Sequence, residues 1–192
     1  MKLNIHRRKN MPKALLIIDY TNDFVAETGA LTAGAPAQAI ADRIVALGEQ
    51  FRRAQDFVYL PTDVHVAGDP YHPETKLFPP HNIRGSWGRQ LYGSLAPWYE
   101  QHQAEQNVTL FDKTRYSSFA GTPLDLWLRE RKVDEVHLVG VCTDICVLHT
   151  AVDAYNLNYP LVIHQDAVAT FTPGGQEWAL NHFKTALNAT IA

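Results

Sequence analysis

Residues 133–158 read VDEVHLVGVCTDICVLHTAVDAYNLN: an apolar run of strand length, VDEVHLVGV at 133–141, gives way at once to TDICVLHTAVDAYNLN at 143–158, where apolar residues recur at helical spacing. The same alternation spreads outward from this junction. Strand-length runs stand at 14–19 (ALLIID), 57–63 (FVYLPTD), 107–113 (NVTLFDK) and 159–167 (YPLVIHQDA). Amphipathic segments separate them at 37–55 (AQAIADRIVALGEQFRRAQ) and at 122–132 (TPLDLWLRERK), the latter opening with Thr and Pro as cap and first-turn residue. Strand, helix, strand order of this kind predicts right-handed crossovers and a parallel sheet covered on both faces, a three-layer α/β fold. The closing LNATIA predicts a short last strand. Residues 64–106 lack regular periodicity and are rich in Gly, Pro, His and aromatic residues, which predicts a long functional loop.

The chain has 192 residues, 46% hydrophobic and 19% charged, enough to bury roughly 70% of its unfolded surface and far from the composition of disorder. We expect one domain over residues 11–192, preceded at 1–10 by a basic leader without fold, because Met11 and PKALLIIDY look like a more natural beginning. A net charge of -3 offers no basic face for nucleic acid, so a small molecule is the expected ligand. No apolar stretch approaches the roughly 20 residues of a membrane span. The two cysteines, Cys142 and Cys146, have no others to pair with, which fits a reducing, cytoplasmic setting. Oligomeric state is left open, a homo-oligomer included.

Ligands of open parallel sheets bind beyond the carboxyl ends of the strands. Here Asp19 ends the first run, Asp63 and His65 follow the second, Lys113 ends the third, and Cys142 to Cys146 follow the fourth. Each such residue alone reads as an ordinary cap or solubilising group; four strands delivering them to one edge read as a site. Cys146, at a strand-to-helix junction, is expected to feel the amides of the first turn and Lys113, both of which lower a thiol pKa from about 8.5. Asp19 is the proton carrier that a cysteine nucleophile needs. Cys142, four residues away, is not half of a redox pair and has a backbone role only.

A second constellation is Asp63-x-His65 with His81 and, between them, His72 and Glu74. One carboxylate and two imidazoles suit zinc, manganese or iron. His6, His102 and His182 read as solvated bystanders. The first strand run is followed by DYTNDF, without a glycine fingerprint or P-loop lysine, which argues against dinucleotide binding.

IIDYTNDF at 17–24, FDKTRYSSF at 111–119 and GVCTDICVLHTA at 140–151 resemble the three motifs of the isochorismatase-like cysteine hydrolases, and DVH at 63–65 with FPPH at 78–81 resembles the metal-binding segment of the nicotinamidases within that superfamily. The resemblance spans nearly the whole chain from Met11. It implies a six-stranded parallel sheet flanked by helices, of the Rossmann-like type. It also implies a triad of Cys146 as nucleophile, Asp19 as general acid/base and Lys113 as electrostatic support. Asp63, His65 and His81 would be metal ligands, with Glu74 as the fourth and His72 competing for that place; zinc is the first choice, manganese or iron the alternatives. A cis peptide is implied between Val141 and Cys142, with the Cys142 and Cys146 amides as oxyanion hole. Phe24, Phe78 and Tyr116 correspond to walls of the nicotinamide pocket. The activity implied is conversion of nicotinamide to nicotinic acid and ammonia through a Cys146 thioester, in NAD salvage, with the pyridine nitrogen oriented by the metal and pyrazinamide tolerated. The rivals are a superfamily amidase or hydrolase acting without metal on a carbamoyl or vinyl ether substrate, and a non-catalytic binding module.

Overall fold

Strand β1, Lys13–Ile18, is apolar at every position after its first, as a strand covered on both faces must be. A computed structural model describes residues 11–192; the expected leader at 1–10 lies outside the described residues. A short helix α1, Asn22–Val25, follows β1, then α2, Gly34–Ala39, and α3, Ala41–Arg53. The single amphipathic segment expected at 37–55 is thus split: Ile40, at φ -92° and ψ 0°, interrupts the helix between α2 and α3. Strand β2, Phe57–Asp63, leads into the irregular region, which is more ordered than its sequence suggests. It holds two 3-10 turns, Pro73–Lys76 and Trp87–Arg89, and the helix α4, Leu95–His102. Strand β3, Val108–Lys113, helix α5, Leu124–Glu130, and strand β4, Glu135–Val141, come next. The expected helix at 143–158 divides into a π-type turn, Thr143–Val147, and α6, Leu148–Asn156. Strand β5, Leu161–Ala169, helix α7, Gly175–Ala186, and the two-residue edge strand β6, Thr190–Ile191, complete the chain.

All six strands are parallel, in the order β3-β2-β1-β4-β5-β6. Alternate residues of β1 feed opposite layers. Ala14, Leu16 and Ile18 pack with Leu124 and Leu128 of α5, Ala151 and Ala154 of α6 and Phe183 of α7. Leu15 and Ile17 pack with Ala37 of α2, Ile44, Leu47 and Phe51 of α3 and Trp98 of α4. Each of these fully buried Leu, Ile or Phe side chains contributes about 1.5–3 kcal/mol. The sequence direction of the sheet reverses between β1 and β4, so a crevice opens at their carboxyl ends. Gly140 lets these two strands close there: at φ 110° it faces Ile18, and a Cβ would overlap the Ile18 carbonyl oxygen. Among the described residues no helix is long and apolar enough to cross a membrane.

Candidate active site

Register brings the expected residues to one edge. Asp63 and Lys113, the last residues of β2 and β3, are direct partners, and Ile18 of β1 pairs with Gly140 of β4. Asp19 turns the chain out of β1 in the left-handed region, φ 54°, which Asp adopts more readily than most residues. Its amide donates to the Pro61 carbonyl at 3.1 Å and its Oδ1 accepts the Asp63 amide at 2.7 Å, tying the end of β1 to β2.

Lys113 is the centre of the site. Its Nζ lies 2.8 Å from Asp19 Oδ2, 3.7 Å from Cys146 Sγ and 3.9 Å from Asp63 Oδ1, and donates to the Arg115 carbonyl at 3.0 Å. The side chains of Lys113 and Asp19 are both 0% exposed. A buried ammonium this close to two carboxylates stays charged: burial works against it, but Asp19, Cys146 and Asp63 together hold its pKa well above the ordinary lysine value.

Cys146 sits in the π-type turn after β4. The amides of Ile145 and Val147 both donate to the Cys142 carbonyl at 3.1 Å, and the Val141–Cys142 peptide is cis, as the resemblance implies. The turn is braced from outside. Thr143 Oγ1 donates to Gln176 Oε1 at 2.6 Å, Gln176 Nε2 donates to the Val168 carbonyl at 3.0 Å, and Thr170 Oγ1 donates to Asp144 Oδ1 at 2.5 Å. The sulfur is buried, and this reverses the expected shift of its acidity. Burial raises the Cys146 thiol well above its ordinary pKa, Lys113 pulls it down, and Asp19 and Asp63 push it up again. The first turn and one lysine do not overcome desolvation beside two carboxylates. Burial likewise raises Asp19, against the pull of Lys113. Burial and the two carboxylates together thus favour the protonated thiol over the thiolate.

Beside this triad, ligand atoms of Asp63, His65, Glu74 and His81 lie within 4.8 Å of one another, and all four residues are buried. His65 Nε2 is 2.7 Å from Asp63 Oδ2, and His81 Nε2 is 3.6 Å from both Asp63 Oδ2 and Glu74 Oε2. His81 Nδ1 is 2.8 Å from the Pro79 carbonyl, which fixes Nδ1 as the donor and leaves Nε2 with a free lone pair. Asp63 Oδ1 and His81 Nε2 are buried without a hydrogen-bond partner among the described residues. Orphaned acceptors converging in an oxygen and nitrogen set fit a divalent cation. Burial would raise Asp63, but Lys113, His65 and His81 more than offset it and hold the carboxyl below its usual value. Burial opposes protonation of His81; Glu74, the Pro79 carbonyl and Asp63 outweigh it and raise the imidazole pKa. His72 packs edge-on against the His65 ring, with centroids 4.3 Å apart, but its nitrogens face away from the cluster: Nε2 meets the Thr114 carbonyl at 2.8 Å and Nδ1 accepts the Glu74 amide at 3.3 Å.

Phe24, Phe78 and Tyr116 line one pocket with Cys142 and Cys146. Leu31, Ile145 and Phe171 complete its apolar wall; sequence reasoning missed them because their strand and helix periodicities carry no mark of a pocket. One expectation about the histidines changes. His102 is buried rather than solvated, its Nδ1 2.8 Å from Glu105 Oε1 and its ring against Trp98, because it ends the unanticipated α4. His182 stacks on Trp178, away from the site; His6 lies outside the described residues.

Residues 13–192 match the isochorismatase domain family. The isochorismatase family protein PncA of Bacillus subtilis is 57% identical over 182 residues, 95% of this chain and 100% of its own. The crystal structure of nicotinamidase/pyrazinamidase PncA from the same organism superposes with a TM-score of 0.93 at 59% identity, over 95% of this chain and all of that one. The pyrazinamidase/nicotinamidase of Streptococcus mutans superposes with a TM-score of 0.91 at 53% identity, over 94% and 99% of the two chains. The Mycobacterium tuberculosis nicotinamidase/pyrazinamidase is 34% identical over 188 residues, 91% of this chain and 95% of its own. A parallel six-stranded sheet with a lysine, an aspartate and a cysteine meeting at its switch point, in a chain matched along nearly its whole length, leaves one assignment: it belongs to the isochorismatase domain family.

Proposed function

We propose that residues 11–192 form a single hydrolase domain that converts nicotinamide to nicotinic acid and ammonia, and that its relatives' names therefore describe this chain as well. The observation that carries the reading is Lys113, whose Nζ stands between Asp19 at 2.8 Å, Cys146 at 3.7 Å and the Asp63 cluster at 3.9 Å. One buried cation thus serves a nucleophile, a base and a set of metal-binding groups at once.

In this mechanism Asp19 takes the Cys146 thiol proton as the sulfur attacks the carboxamide carbon. The Cys142 and Cys146 amides receive the oxyanion, a contribution worth about 3–4 kcal/mol for one donor. Asp19 returns the proton to the amine nitrogen and ammonia leaves a Cys146 thioester. Asp19 then deprotonates a water that attacks the thioester, releasing nicotinic acid and restoring the thiol, so two easier steps replace one hard one. Lys113 pulls against the burial that raises Asp19 and favours the thiolate as it forms. Phe24, Phe78 and Tyr116 enclose the aromatic ring. Asp63, His65, Glu74 and His81 would hold a divalent metal, zinc by first choice or manganese or iron, supplying a Lewis acid that orients the ring nitrogen. Pyrazinamide, which presents the same nitrogen and carboxamide, is a second expected substrate. A cytoplasmic place in NAD salvage follows from the substrate and the reduced cysteines.

The test is to incubate the purified protein with nicotinamide and measure ammonia and nicotinic acid, before and after chelation and after re-addition of zinc, manganese or iron. Equimolar products, lost on chelation and restored by metal, support the proposal. Turnover of a carbamoyl substrate, unaffected by chelation and without turnover of nicotinamide, would transfer the site to the metal-free rival.

A further inference from the structure

The triad, the metal-binding cluster and the apolar pocket leave one buried carboxylate in the neighbourhood unused. Asp23, in α1, is 8% exposed and has no cation against it among the described residues. Its two oxygens are taken by backbone amides instead: Oδ2 accepts Asn82 N–H at 2.7 Å and Oδ1 accepts Ala30 N–H at 3.1 Å. Asn82 is the residue after His81 and is fully buried, with φ 45°. Its carbonyl accepts the His65 amide at 3.0 Å, and its side-chain Oδ1 accepts Thr21 Oγ1–H at 2.9 Å. The Arg84 amide then donates to the His65 carbonyl at 2.9 Å. Asn82 is therefore a knot. It ties the segment after β1, which begins at Asp19, to the loop bearing His65 and to the loop bearing His81.

Close packing holds the knot shut. Gly88 lies against Asp23 so tightly that a Cβ there would overlap the carboxylate, although its backbone is not in the left-handed region. Asn22 adds to the clamp, its amide donating to the Gln90 carbonyl at 2.9 Å and its Nδ2 to the Trp87 carbonyl at 3.0 Å.

We infer that Asp23 is a positioning residue for the metal-binding cluster: by holding the Asn82 amide it sets the loop that carries His81 and, through the Asn82 carbonyl, the loop that carries His65. A charged acceptor suits this work, because ionised hydrogen bonds are shorter and roughly twice as strong as neutral ones. Outer groups that fix metal ligands typically change affinity about 10- to 100-fold when removed. The inference rests on the metal-binding reading of Asp63, His65, Glu74 and His81 given above.

The experiment measures metal affinity on folded protein by chelator competition with Zn2+ and with Mn2+, well below each variant's apo melting temperature. Four proteins are compared: wild type, Asp23→Asn, Gly88→Ala, and Leu128→Ala as a core-destabilised control in α5. Affinity about 10- to 100-fold weaker in Asp23→Asn and Gly88→Ala, with the control within twofold of wild type, is the expected result. Asn82→Gly, which keeps the backbone links and tolerates positive φ, should lose less than Asp23→Asn. Wild-type affinity in Asp23→Asn or Gly88→Ala, or an equal loss in Leu128→Ala, overturns the inference. A wild type that takes up neither metal refutes the metal reading itself, and the inference with it.

Discussion

Replacing Lys113 by Met keeps most of the side chain's volume but removes its charge and its hydrogen bond to the Arg115 carbonyl. In the folded protein this strands Asp19, at 2.8 Å and fully buried, and weakens the neutralisation of Asp63, at 3.9 Å. Breaking a buried ion pair by deleting one partner costs about 3–5 kcal/mol, because the remaining charge is left desolvated. For a domain of this length each kcal/mol lowers the melting temperature by about 2–4 °C, so Lys113→Met should melt roughly 6–20 °C below wild type in metal-free buffer. The pH dependence has a definite sign. Asp19 already has a folded pKa above its unfolded value, chiefly from burial, and loses the main influence that lowers it. Its charged form therefore costs most stability at neutral pH, and the deficit shrinks as pH falls through the raised pKa and the carboxyl takes a proton. The companion Lys113→Met/Asp19→Asn should regain more than about 1.5 kcal/mol at pH 7. Urea and thermal unfolding at pH 7 and pH 5 measure both effects. A Lys113→Met protein within about 1 kcal/mol of wild type, or one whose deficit grows on acidification, would show that Lys113 does not neutralise these carboxylates.

Four further outcomes follow from the geometry. His81→Ala should weaken metal binding by more than about 100-fold, beyond the range of an outer-sphere change, as read by chelator competition. Protons compete with metal for His81, whose pKa is raised by Glu74, the Pro79 carbonyl and Asp63 against burial, so metal binding should weaken on acidification, by about tenfold for each pH unit once that imidazole is protonated. Cys142→Ala should keep ammonia release within about threefold of wild type, because the proposed mechanism uses the backbone amide of Cys142 and not its buried thiol, which is pushed up to about 12. Gly140→Ala should lose more than about 2 kcal/mol of stability in urea, since it combines φ 110° with a Cβ against the Ile18 carbonyl oxygen.

Much of the site was legible because it sits where strand periodicity stops. Asp19, Asp63, Lys113 and Cys142 to Cys146 each follow an apolar run, and a parallel sheet converts those endings into neighbours. Glu74 and His72 could not be separated by spacing; only the turn at Pro73–Lys76 draws one into the cluster and hands the other to the Thr114 carbonyl. The acidity of Cys146 was misjudged because a motif records which charges approach the sulfur but not how much water leaves it. Asp23, Asn82, Thr143 and Gln176 went unnoticed since their partners are backbone groups and distant side chains, with no local pattern. Helix α4 escaped detection for a related reason: with Gly93 just ahead of it and Pro97 within it, LAPWYEQH looks like loop, and packing of Leu95 and Trp98 on the core holds it as helix.

Ammonia release from nicotinamide, measured side by side for wild type and Cys146→Ala at matched metal content, is the most direct test of the central claim. Steady turnover by the wild type and none above the uncatalysed rate by the variant is the expected result. Equal rates in the two proteins would contradict Cys146 as the nucleophile.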